Sequence, residues 1–149
     1  MRRFCPEDRE TYLTLAKEFY ASPAVLHAVP ETHFSAAFDE LMADSPYLDG
    51  WLLTVSETDE RIAGYALVFY YFSQEAGGLA AWLDELYVRP AYQGLGIGSR
   101  FLRYLNDELP AGVKAIRLEV EPDNVRAAAL YRRNGFSPLG YAQMLHDRS

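Results

Sequence analysis

Three glycines, Gly94, Gly96 and Gly98, alternate with Leu95, Ile97 and Ser99 directly after Gln93. They fall between a segment of strand character, Leu79 to Val88, and one of helical spacing, about Ile97 to Glu108. Glycine lets backbone come close to a ligand, and the first turn of a helix carries N–H groups that have no intrahelical partner. The helix dipole adds positive character at the same end. Together these features make a pyrophosphate site. A nucleoside triphosphate loop would add a lysine followed by a hydroxyl residue, which is missing here. A Rossmann loop would follow an N-terminal strand and precede an acid about 20 residues on. Two adjacent carboxylates, Asp84 and Glu85, lie on the strand that leads into the loop. Successive strand residues point to opposite faces, so at most one can face a given ligand unless the strand is bulged.

The elements that must hold these groups follow from periodicity. Pro6 suits the first turn of a helix, and Tyr12, Leu15, Ala16 and Phe19 continue it at helical spacing until Ser22-Pro23 breaks it. A second helix begins after Pro30, with an apolar stripe of Phe34, Ala37, Phe38 and Leu41, and closes at Ser45-Pro46 and Asp49-Gly50. Trp51 to Val55 and Ile62 to Phe72 read as a hairpin around Thr58-Asp59-Glu60. After the glycine loop and its helix come a strand at Ala115 to Val120, a turn at Glu121-Pro122-Asp123-Asn124 and a helix from Val125 to Arg133. That helix ends in Arg132, Arg133 and Asn134-Gly135. Phe136 to Leu145 supplies one last short strand or two. The sum is a single domain over 1–149 of mixed α/β (α+β) type. Its central sheet has about six or seven strands, flanked by about four helices, and the strand–helix–strand unit at 79–121 pairs in parallel.

The run from Leu83 through Asp84, Glu85, Leu86, Tyr87, Val88, Arg89 and Pro90 to Gln93-Gly94-Leu95-Gly96-Ile97-Gly98 resembles the acetyl-CoA motif of the GNAT-type N-acetyltransferase superfamily. That motif is Gln/Arg-x-x-Gly-x-Gly/Ala, and Gln93, Gly96 and Gly98 satisfy it. A second signature agrees: Asn124, Ala127, Leu130, Tyr131, Gly135 and Phe136 match the family's Asn-x-x-Ala-x-x-Leu-Tyr…Gly-Phe helix. The resemblance covers residues 62–140 and implies a fold and an activity. Acetyl-CoA is the expected co-substrate, with no metal. The backbone of Leu86, Tyr87 and Val88 is expected to hold the pantetheine arm in the manner of an added strand. Backbone N–H groups from Gly94 through Leu95, Gly96, Ile97 and Gly98 to Ser99 are expected to hold the pyrophosphate. Asn124 is expected to touch the pantetheine with Ala127 beside it, and Tyr131 to protonate the leaving thiolate.

An amine of pKa near 10 must lose a proton before it attacks. The spacing is most like that of polyamine and diamine N-acetyltransferases, whose pattern is Leu-Glu-Asp before an aromatic residue and valine, with the first acid as base. That ranks Asp84 first and Glu85 second. This chain has the two acids in the opposite order, and the shorter Asp84 favours a water relay. The competing expectation is that one acid only pairs with an arginine such as Arg89. Glu119 and Glu121 either line the cleft or face solvent. His27 and His33 flank Pro30 at no metal-ligand spacing and belong on the surface or the cleft rim, and His146 belongs to the exposed end. Tyr65, Phe69, Tyr70, Tyr71 and Phe72 are core residues by default, with one or two lining the acceptor pocket. Cys5 is isolated, and direct transfer requires no cysteine nucleophile.

Half of the 149 residues are hydrophobic, which is ample for a core. One cysteine and no apolar leader point to the cytoplasm, and no run of about 18 apolar residues exists to cross a membrane. The net charge of -7 disfavours nucleic acid as a partner. Residues 1–60 hold 4 of the 14 basic and 12 of the 21 acidic residues, a balance of -8 that either attracts a cationic substrate or coats solvated helix faces. The expected function is acetyl transfer to a primary amine, in particular a small cationic one. The alternatives are a peptide N-terminal acetyltransferase and a non-catalytic acyl-CoA sensor or interaction module. The acceptor's identity stays open, and a homodimer is compatible with the sequence.

Overall fold

The computed structural model describes residues 1–148. The elements run β1 (Arg2–Arg3), α1 (Arg9–Tyr20), α2 (Glu31–Met42), β2 (Leu48–Thr54), β3 (Ile62–Ser73), β4 (Gly78–Val88), α3 (Ile97–Glu108), β5 (Val113–Leu118) and α4 (Val125–Arg133), with single 3-10 turns before α1 and α3. The strands form one sheet in the order β1-β2-β3-β4-β5. The first three pairings are antiparallel and β4–β5 is parallel, as the strand–helix–strand pattern implies.

Alternation along the strands sends side chains into two separate cores. On one face Leu52, Tyr65, Leu67 and Tyr87 pack under α1 and α2, which contribute Tyr12, Leu15, Ala16, Phe34 and Phe38 at helical spacing. On the other, Trp51, Leu53, Ala66, Val68, Ala81 and Leu83 pack under Ile97, Phe101, Leu102 and Leu105 of α3. Leu130 and Tyr131 of α4 rest against that second core. Burial of a residue such as Phe101 or Leu105, both fully inaccessible, is worth about 2 kcal/mol. One contact tolerates no side chain at all: a Cβ on Gly64 would stand 1.8 Å from the carbonyl oxygen of Tyr87 on β4.

The sheet has five strands rather than six or seven. Phe136 to Leu145 is not a strand in the described structure. Pro138 lacks an N–H, Gly140 follows it, and residues 137–148 are exposed, so no apolar face is gained by pairing there. The short β1 pairing went unforeseen because two residues, Arg2 and Arg3, show no period. Asp49 and Gly50 do not close α2 but lie inside β2; Asp44, with φ 54°, makes the left-handed turn that ends the helix region. No helix among the described residues is long and apolar enough to cross a membrane.

Candidate active site

Parallel pairing of β4 with β5 runs from Leu79↔Val113 to Leu83↔Leu118 and stops there. From residue 84 to Val88 the outer edge of β4 is therefore free of β5, while its inner edge stays paired with β3 as far as Gly64↔Val88. The two strands open into a cleft lined by Trp82 to Leu86, by Glu119 and Glu121 beyond β5, and by Asn124, Ala127 and Tyr131 of α4. Residues Ala24 to His27, between α1 and α2, form part of its rim.

A bulge sits at the mouth of this cleft. Leu67 pairs with Glu85 and the next residue, Val68, pairs with Leu83, so Asp84 is the extra residue of β4. The two acids do not alternate as an unbroken strand would have them. Leu83 belongs to the α3 core and Glu85 reaches into the α1 core, and the inserted residue puts Asp84 on the same face as Glu85. Their surroundings differ. Glu85 is buried, and its Oε1 accepts from the Tyr20 hydroxyl at 2.6 Å and its Oε2 from the Tyr65 hydroxyl at 2.5 Å. Burial raises its pKa, and the two phenols oppose the rise. Asp84 is exposed to the cleft and makes no ion pair. Its carboxyl is raised by desolvation between the cleft walls and then by the charge of Glu119. Neither acid pairs with Arg89, whose guanidinium binds Glu18 on α1 through two 2.9 Å hydrogen bonds.

The glycine loop leads directly into α3. Gly94 and Gly96 have φ of 80° and 75°, and Gly96 opens α3 without any side-chain cap. The first-turn N–H groups of Ile97, Gly98 and Ser99 thus remain available to a ligand. Open space surrounds Gly96, where a Cβ would meet nothing within 4 Å. Gly98 has another purpose: a Cβ there would press within 2.9 Å of Leu130, so it sets how closely α4 approaches α3. Gln93 turns its amide back onto the Val88 carbonyl oxygen at 2.9 Å, tying the loop to the free end of β4. Leu95 is exposed and the Ile97 side chain is buried in the core, so from Ile97 a ligand could meet only backbone. Leu86 and Val88 turn their side chains to the α3 core, and Tyr87 turns to α1, where its hydroxyl donates to Glu18 at 3.3 Å.

Tyr131 lines the cleft from α4 and packs edge-on against Phe136 with ring centroids 5.8 Å apart. Burial pushes its hydroxyl up to about 12, so at neutral pH it keeps its proton. Asn124 caps α4, its Oδ1 accepting from the Ala127 N–H at 3.1 Å, which leaves its amide nitrogen and the second lone pair of Oδ1 for a ligand. Both Glu119 and Glu121 line the cleft although they lie beyond β5, and Glu121 is spent on the turn, accepting from the Asp123 N–H at 2.7 Å. His27 is on the cleft rim, while His33 and His146 are exposed.

The acidic N-terminal part does not supply the cleft. Asp8, Glu18, Glu31, Asp39, Asp49 and Asp59 are each in an ion pair, and no acid before Glu75 lines the cleft. The sequence reading passed over Tyr20, which closes the apolar stripe of α1, and Trp82, two residues before Asp84 at strand period.

The chain from residue 11 to 136 matches the family model described as Acetyltransferase (GNAT) family. It is 37% identical over 87 residues to a thialysine N-epsilon-acetyltransferase from Bos taurus, covering 57% of this chain and 50% of that one. It is 55% identical over 53 residues to the N-alpha-acetyltransferase RimI of Mycobacterium tuberculosis, covering 36% of this chain and 32% of that one. The chain thus spans half or less of the length of these relatives. A solved structure of a predicted acetyltransferase with acetyl-CoA from Clostridium acetobutylicum superposes with a TM-score of 0.76 at 16% identity, over 97% of this chain and 94% of that one, and so shares the fold. The match takes in the glycine loop, the parted strands and the α4 helix, and the chain belongs to the GNAT acetyltransferase family.

Proposed function

We propose that this protein transfers an acetyl group from acetyl-CoA to a primary amine by direct attack, with a small cationic amine as acceptor. The observation that carries the reading is the end of β4–β5 pairing at Leu83↔Leu118, at the bulge that presents Asp84. The free β4 edge from residue 84 to Val88 has the form to pair with the amide groups of a pantetheine arm. The uncapped start of α3 has the form to hold a pyrophosphate. Acetyl-CoA supplies an activated acetyl group at the junction of these two surfaces.

Asp84 takes the proton from the incoming ammonium, directly or through one water, and its raised pKa brings it nearer to the amine it must serve. The neutral nitrogen then forms the new N–C bond as the C–S bond breaks. Tyr131 gives its proton to the departing thiolate and is restored from solvent. Glu85, with both oxygens engaged by phenols, holds Tyr20 and Tyr65 in place rather than meeting the amine. The preference for a cation rests on the unpaired Asp84 and Glu119. The thialysine-acetylating relative, whose name points to a side-chain amine, agrees with a small acceptor. The RimI relative supports a second reading, a peptide N-terminus as acceptor. Thiol release from acetyl-CoA, measured against a panel of small amines and short peptides, tests the proposal. Acetyl-CoA binding without thiol release for any amine would make the protein a sensor instead.

A further inference from the structure

Trp82 belongs to the acceptor face by three independent relations. It precedes the bulge by one strand period from Asp84, so its ring emerges on the face that carries Asp84 and Glu85. It pairs across the sheet with Phe69 on one side and Arg117 on the other, and paired residues share a face. It also lines the same cleft as Asp84 and Glu119. The ring is half-buried and held flat, stacked on Phe69 with centroids 5.7 Å apart and planes 15° apart. Arg117, its pairing partner on β5, is neutralised by Glu75 at 3.0 Å. A fixed aromatic surface therefore shares the cleft with two carboxylates, Asp84 and Glu119, that have no ion-pair partner among the described residues.

We propose that Trp82 is the specificity-determining residue of the acceptor site, its indole face receiving a second ammonium of a diamine whose reacting nitrogen lies against Asp84. The inference rests on the reading that the cleft acetylates an amine. An indole attracts a cation through its ring quadrupole, most strongly where water is partly excluded. Two residues of strand separate Trp82 from Asp84, roughly 7 Å, a span that a short alkyl chain bridges. Glu119 balances the second charge.

The test compares putrescine with n-butylamine, equal in chain length and different by one ammonium. The wild type is expected to prefer putrescine in kcat/KM. Trp82→Leu is expected to reduce that preference about 3- to 30-fold. Trp82→Phe, which keeps a flat ring, is expected to retain most of it. Acetyl-CoA affinity, measured by calorimetry, is expected to be unchanged in both variants, which reports an intact fold. A putrescine preference that survives Trp82→Leu, or falls equally in Trp82→Leu and Trp82→Phe, overturns the role of Trp82. Absence of thiol release by the wild type with every amine overturns the acetyl-transfer reading instead.

Discussion

The two sides of β4 are made of different material. On the α3 side, Tyr131 apart, the groups offered to a ligand are backbone: a free strand edge, two glycines in the left-handed region and an uncapped helix start. On the α1 side they are side chains held by other side chains: Glu85 gripped by Tyr20 and Tyr65, Trp82 stacked on Phe69, and Asp84 pushed outward by a bulge. A backbone site is altered mainly by adding atoms. A side-chain site is altered by removing them, and its parts contribute unequally. The backbone groups should therefore answer mutation mainly in binding, and the side chains, Tyr131 included, mainly in turnover.

The sharpest way to break this contrast is on the backbone side. Gly96→Glu forces a side chain into φ 75° and sets a carboxylate beside the N–H groups proposed for the pyrophosphate. Acetyl-CoA affinity is expected to fall at least about 100-fold, near 3 kcal/mol, with the fold retained by circular dichroism. Unchanged affinity in calorimetry would move the cofactor elsewhere.

Tyr131→Phe comes next. The hydroxyl acts only as the thiolate forms, so kcat should drop about 100-fold, at the low end for general acids because water can substitute, while acetyl-CoA affinity holds. Equal turnover under conditions where chemistry limits the rate would leave Tyr131 as a packing residue against Phe136.

The smallest effect separates the two acids. Asp84→Asn should lower kcat/KM at neutral pH about 10-fold, more than Glu85→Gln does. The sign with pH follows from the raised Asp84 carboxyl: the base form is lost as pH falls through a value above the ordinary aspartate range, so activity declines on that acid limb. Asp84→Asn removes this limb and loses its defect at high pH, where free amine is already neutral. Glu85→Gln should instead show itself in thermal melting, since it disturbs one buried and one part-buried hydrogen bond, worth about 1–2 kcal/mol together. If Glu85→Gln is the more damaging to kcat/KM, the bulge does not select Asp84.

The same contrast decides what was legible in the sequence. The glycine loop could be read because glycine spacing is itself the signal, and its left-handed residues are where the motif placed them. Helices α1 to α4 followed from apolar stripes and caps. The acid pair could be named but not oriented, because a bulge changes parity without changing the sequence pattern. Arg89 was an open partner for either acid; its choice of Glu18 depends on α1 lying across β4, a tertiary fact. The charge of the first 60 residues was visible, but its placement away from the cleft was not, nor were pairings such as Arg9 with Asp39 thirty residues on. The tail after Phe136 has some strand-like alternation, but alternation makes a strand only where an edge and a core accept it.

Gly64 carries one more consequence. The Tyr87 carbonyl oxygen occupies the place of any side chain there, so a saturation library should score this position as intolerant. A loss-of-function map would then mark a residue with no chemical duty as firmly as Asp84 or Tyr131. Protein abundance distinguishes the two: variants at Gly64 should vanish from the soluble fraction, whereas Tyr131→Phe should accumulate normally and fail only in the assay.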